Sequence, residues 1–188
     1  MTLYIWRHPK PLAASGICLG QTDMGVHSRK IKRLANQIQR FVRIHNLSKV
    51  IWVSPLQRSL RVGELLAKRG FECHVAPDLM ELDFGTWDGK SWADIPKQAI
   101  DEWCADFANG APFDGESVAQ LFMRVETQIQ VWQSKCEQAE DNNNSILAVG
   151  HAGWINAAKM RAAGQGVPQV AADWVRPVTY RQLSRLEF

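Results

Sequence analysis

Two short apolar runs in this chain stop at histidine: Leu3-Tyr4-Ile5-Trp6 runs into Arg7-His8, and Ile146-Leu147-Ala148-Val149 into Gly150-His151. A third, Val50-Ile51-Trp52-Val53, ends in Ser54-Pro55-Leu56-Gln57-Arg58. One histidine at a strand end is as a rule a hydrogen-bonded structural residue, whereas three polar endings of this kind point to a site. These residue types suit phosphoryl transfer. A neutral imidazole can attack phosphorus without metal activation, splitting hydrolysis into two easier displacements. Guanidinium groups match the equatorial oxygens of the transferring group and stabilise its charge.

Elements must bring such residues together. In open α/β sheets the ligand crevice lies outside the carboxyl ends of the strands, where loops can hold polar groups that a sheet buried on both faces cannot. Between the first two runs lie a long Pro/Gly-bearing loop, Pro9 to Gly25, and a helical period over Ser28 to Arg43 carried by Ile31, Leu34, Ala35, Ile38, Phe41 and Val42. Helical spacing returns over Leu60 to Ala67, closing at Gly70, and a short strand is expected near Cys73 to Val75. From Pro77 to Gly115 the periodicity fails around a short helix near Asp101 to Phe107, which reads as an inserted cap. Ser117 is a suitable N-cap for a long helix through Glu137; the polar tract Glu140 to Asn144 then leads into the run ending at His151. A helix over Trp154 to Ala163 and a strand over Tyr180 to Phe188 follow. The order predicts a three-layer α/β/α sandwich with a mostly parallel sheet, as one domain over 1–188 with a cap-like insertion around 77–115.

Composition narrows the partners. A formal charge of +3 is small for a nucleic-acid surface, and the basic cluster Arg29-Lys30-Ile31-Lys32-Arg33 fits a solvated helix face. The four cysteines are far apart with no Cys-x-x-Cys pair, so neither a zinc ribbon nor a disulfide framework is indicated, and a reduced cytoplasm is expected. No run approaches the roughly 20 apolar residues that span a bilayer. The expectation is a soluble protein without nucleic-acid or membrane partners; oligomeric state is left open.

The polar motifs occur in one order: Arg7-His8, Ser54-Pro55-Leu56-Gln57-Arg58, Leu79-Met80-Glu81-Leu82-Asp83-Phe84-Gly85-Thr86-Trp87-Asp88-Gly89, Gly115-Glu116-Ser117 and Gly150-His151-Ala152-Gly153. In that order, over nearly the whole chain, they resemble the histidine phosphatase superfamily, in the branch of the cofactor-dependent phosphoglycerate mutases. Through Gly16-Ile17-Cys18-Leu19-Gly20-Gln21-Thr22-Asp23 and the Glu81 to Gly89 block the chain is most similar to the α-ribazole phosphatases of cobalamin synthesis. The resemblance implies His8 as nucleophile, Glu81 as general acid and base, Arg7, Arg58 and His151 as the phosphate pocket, and Gly20 and Gln21 at the substrate. It implies a small-molecule phosphomonoester as ligand, and no metal or cofactor.

Asp83 is the rival carboxylate. Pro9 stands where the family usually has glycine, which removes one backbone donor, and Ala14 stands where asparagine is frequent. Val26 and His27 replace a leucine and a hydroxyl residue, His27 reading as a surface residue at a helix start. His45 and His74 read as surface residues. Gly115-Glu116-Ser117 is either a helix cap or support for the site. Trp87 and Trp92 flank the acid-bearing loop, as core residues or as walls for a ring-bearing substrate. Competing functions are a phosphoglycerate-type mutase, disfavoured by the sequence around Glu81; an inactive phospho-ligand binding module, suggested by Pro9 and Ala14; and a zinc hydrolase using His8, His151 and Glu81, disfavoured by the neighbouring arginines.

Overall fold

The computed structural model describes residues 1–138 and 144–188. Five strands, β1 (Thr2–Arg7), β2 (Val50–Val53), β3 (Glu72–Val75), β4 (Ser145–Gly150) and β5 (Leu183–Glu187), form one sheet in the order β3-β2-β4-β1-β5. All neighbours are parallel except β5, which runs antiparallel to β1. The expected α/β/α sandwich is therefore the fold. Its helices are α1 (Ser28–His45), α2 (Gln57–Ala67), α3 (Lys97–Ala105), α4 (Val118–Gln138) and α5 (Ala152–Ala162).

The two-residue period of the strands divides each between two cores. Leu3, Ile5, Ile146 and Ala148 face the apolar sides of α4 and α5. Trp6, Leu147, Val149, Ile51 and Val53 face Ile31, Leu34 and Ile38 of α1 and Val62 and Leu66 of α2. Both faces of the central strands are covered, which is why their sequences read as unbroken apolar runs.

Several boundaries move for local reasons. Helix α2 starts at Gln57, before its apolar period, because the Asp23 carboxylate accepts from the Gln57 N–H at 2.8 Å and caps the helix from a distant loop. Pro96 lies at the head of α3, which begins at Lys97 and ends before Phe107. Strand β5 is shorter than expected, because Arg181 adopts φ 66° in a turn closed by the Gln182 N–H on the Thr179 carbonyl. Ser117 does cap α4: its hydroxyl accepts from Gln120 N–H, while the Gln120 side-chain oxygen accepts from Ser117 N–H, a reciprocal capping box. Most of the polar tract 140–144 lies outside the described residues.

The segment between β3 and α4 is built of 3-10 turns at Pro77–Leu79, Gly85–Trp87 and Trp92–Asp94, followed by α3. It docks on the long loop after β1. Ile17 bridges Ser91, and Cys18 exchanges backbone hydrogen bonds with Lys90 and Gly89 around a small core of Cys18, Trp87 and Ile95. Among the described residues no helix is long and apolar enough to cross a membrane.

Candidate active site

Topology alone converges the strand-end residues. Strands β1 and β4 are central neighbours, paired so that Arg7 lies opposite Gly150; the next residues, His8 and His151, leave the sheet together with ring centroids 4.9 Å apart. Strand β2 flanks β4 on its other side and turns directly into α2, whose second residue is Arg58. The Arg58 side chain is fully buried and its Nε donates to His151 Nδ1 at 3.2 Å.

These bonds fix both imidazoles in chemical state. His8 Nδ1 lies 2.8 Å from the Pro9 carbonyl, which only accepts, so Nδ1 carries the proton and Nε2 the lone pair. His151 has the opposite tautomer: Nδ1 accepts from Arg58, leaving a protonated Nε2 with no partner among the described residues. Burial, and then the Arg58 charge, hold both histidines well below their ordinary range, so both are neutral at physiological pH. One ring therefore presents a lone pair at Nε2 and the other an N–H. Pro9, lacking an N–H, contributes the carbonyl that orients His8.

Glu81 lies among the same groups. Its Oε1 accepts from Leu82 N–H at 3.1 Å and Gly153 N–H at 2.9 Å. Burial raises its affinity for a proton above that of an ordinary carboxyl, opposed by Arg58 and those amide bonds. Asp83 is occupied elsewhere, its Oδ1 accepting from Gly85 N–H at 2.8 Å to close a turn. Glu116, beside the capping Ser117, forms a close ion pair with Arg124.

Arg7, His8 and Glu81 line a cavity of about 450 Å³ whose remaining wall is largely apolar, including Ile17, Leu19, Phe84, Trp92, Trp103 and Trp174. Among the described residues no other charged side chain lines it. Ala14 contributes only a methyl group to this wall. Arg7 stacks on Tyr180, its guanidinium carbon 3.9 Å from the ring centroid, and donates to the Val178 carbonyl at 2.7 Å.

Of the residues expected at the site, Arg7, His8 and Glu81 line the cavity, whereas Arg58 and His151, both fully buried, do not. Gly20 and Gln21 are not in the cavity wall: the Asp88 carboxylate accepts from the N–H groups of Gly20, Gln21 and Thr22, and the Gln21 side chain donates to the Glu81 carbonyl. The loop then turns its Gly20 and Thr22 carbonyls toward the Arg58 guanidinium, fixing it. Of the two readings for the tryptophans, Trp87 takes the core one, packed near Cys18, and Trp92 the wall one, lining the cavity. His27 does head α1, its ring accepting from Arg29 N–H, and His45 is exposed; His74 is half-buried, stacked on Trp52. Sequence reasoning missed Asp88, Arg124, Tyr180, Trp103 and Trp174. Arg124 leaves a trace, as a charge beside the apolar stripe of α4 at Leu121 and Val125. Among the described residues no group of His, Cys, Asp and Glu side chains is arranged to hold a metal ion.

A neutral histidine, a buried carboxyl of raised proton affinity and two guanidinium groups at the strand ends of an α/β sandwich are the groups that a phosphoryl-transfer enzyme uses. The sequence pattern of the histidine phosphatase superfamily (branch 1) matches residues 3–188, and the chain belongs to that family. It is a phosphoric monoester hydrolase acting on a small phosphate ester. It is 27% identical over 161 residues to the adenosylcobalamin/alpha-ribazole phosphatase of Salmonella typhimurium, covering 83% of this chain and 76% of that protein. To the Escherichia coli protein of the same name it is 25% identical over 170 residues, covering 87% and 80%. The alpha-ribazole phosphatase of Shigella flexneri superposes with a TM-score of 0.77 at 23% identity, over 100% of this chain and 90% of that one. A mycobacterial glucosyl-3-phosphoglycerate phosphatase superposes with a TM-score of 0.78 at 22% identity, over 99% and 89%.

Proposed function

We propose that the enzyme hydrolyses α-ribazole 5′-phosphate through a phosphohistidine at His8, in cobalamin synthesis. The observation that carries the mechanism is the His8 Nδ1 to Pro9 carbonyl bond in a buried ring, which presents a neutral Nε2 lone pair. In the first displacement Nε2 bonds to phosphorus as the ester P–O bond breaks, and the Glu81 carboxyl gives its proton to the leaving oxygen. In the second, Glu81 carboxylate takes a proton from water as its oxygen bonds to phosphorus, the P–N bond breaks and phosphate leaves. Arg7 and Arg58 offset the charge of the phosphoryl oxygens meanwhile, and the neutral His151 donates a hydrogen bond to them from Nε2–H. Residues 77–115 serve as the cap of a single domain, holding the leaving group.

The substrate assignment is supported by the cavity and by the names of the curated relatives. Aromatic walls favour a planar base, and binding energy remote from phosphorus can be used to orient the reacting group. Beyond the phosphate end the described wall offers no cation to a second anionic group, which disfavours phosphoglycerates and their glycosides. α-Ribazole 5′-phosphate is therefore expected to exceed ribose 5-phosphate in kcat/KM by more than ~10-fold, a margin requiring only about 1.4 kcal/mol of differential transition-state binding. Equal values, or a preference for 3-phosphoglycerate, would reject this substrate while leaving the hydrolase class standing.

A further inference from the structure

Glu81 lies outside any helix or strand, on a buried stretch whose carbonyls need donors from elsewhere. Most of them come from one side chain. Arg124 of α4 donates through Nη1 to the carbonyls of Asp78 at 2.7 Å and Met80 at 2.8 Å, and through Nη2 to that of Glu81 at 3.3 Å. Its Nε and Nη2 also form a two-pronged pair with Glu116 Oε1 at 3.0 Å and Oε2 at 2.7 Å. Glu116 in turn accepts from Asp83 N–H at 3.3 Å, so the pair grips the chain on both sides of Glu81. From α5, Trp154 Nε1 adds a bond to the Asp78 carbonyl at 2.8 Å.

Arg124 and Glu116 are only 16% and 14% exposed, and neither lines the cavity. Buried ion pairs are weak contributors to stability, since apolar residues of like volume often serve as well. What apolar residues cannot do is fix successive carbonyl groups in direction, and a lysine ammonium lacks the planar fork for carbonyls and carboxylate together. We propose that Arg124, held by Glu116, is a positioning residue for the proton transfer: it sets the backbone on which the Glu81 carboxyl meets the leaving oxygen. This rests on Glu81 being the acid.

The test compares kcat/KM for an alkyl phosphate and for p-nitrophenyl phosphate, whose leaving group needs little protonation. In Arg124→Lys and Arg124→Gln the alkyl ester is expected to lose ~10- to 100-fold, with the nitrophenyl ester changed by less than ~3-fold. Combined with Glu81→Gln, either substitution should slow the alkyl ester no further than Glu81→Gln alone, because residues acting as a unit are not additive. Glu116→Gln, which keeps the guanidinium and its carbonyl partners, gives the same pattern at smaller amplitude and serves where an Arg124 variant does not fold. Equal losses on both esters, or losses that add to Glu81→Gln, would overturn the proposal. If Glu81→Gln separates the esters and the Arg124 and Glu116 variants do not, positioning alone is refuted. If Glu81→Gln itself fails to separate them, the acid assignment falls and this inference with it.

Discussion

Replacing Gly153 by alanine should disable the proton donor without disturbing the fold. Gly153 lies in the first turn of α5, and a Cβ built on its backbone would stand 2.5 Å from Glu81 Oε1 and 3.4 Å from the carboxyl carbon Cδ of the same residue. Ordinary contact begins near 3.4 Å, so the carboxyl must retreat by almost an ångström. The strain therefore falls on the end of one side chain, the next neighbour being Leu121 Cδ2 at 3.8 Å. Alanine in a helix is otherwise favoured over glycine by up to about 1 kcal/mol, so stability should hold or rise. Misplacing a catalytic group by about 1 Å can cost ~100-fold, so kcat/KM for alkyl phosphates should fall by ~10- to 100-fold. Thermal melting and steady-state assays on one preparation read both effects. A Gly153→Ala enzyme with full activity on alkyl phosphates would refute the placement of Glu81 as acid against the head of α5.

The remaining predictions concern protons. His8 must be neutral to attack, and burial and Arg58 hold it well below 6.5, so the acid limb of kcat/KM should lie below that value; a limb at or above 6.5 would contradict the neutral nucleophile. Glu81 must hold its proton in the first step, and burial raises it above 4.5, so alkyl-ester activity should fall as pH climbs through that raised value. The alkaline limb should vanish in Glu81→Gln. Asp83→Asn should leave the difference between alkyl and nitrophenyl esters unchanged, because Asp83 closes a turn; a selective loss on the alkyl ester would return Asp83 to the role of acid.

Much of this site could be read in the sequence, for a topological reason. Strands covered on both faces are written as unbroken apolar runs, so the polar residues that end them, Arg7, His8, Arg58 and His151, stand out against what precedes them. Helix α1 is equally legible through its apolar period, and its end extends only to the left-handed Asn46. The segment after β3 carries no period, because its turns are fixed by tertiary bonds such as those of Arg124 to backbone carbonyls. Asp88 is visible in the Trp-Asp-Gly motif, but its partners are backbone N–H groups in the loop 20–22, which every residue but proline possesses. The same holds for Gly20 and Gln21: a loop lying near the site does not reveal which of its groups are engaged by Asp88. Which tryptophans reach the cavity is decided by how α3 and the loop before β5 pack, bringing Trp103 and Trp174 forward and burying Trp87.

The central claim is a covalent phosphohistidine at His8. Rapid chemical quench with ³²P-labelled substrate should trap label on the protein that is stable to base and labile to acid, mapping to the peptide bearing His8, with label and turnover both abolished in His8→Ala. Turnover without trapped label in the native enzyme, label on another residue, or near-normal activity in His8→Ala would contradict it.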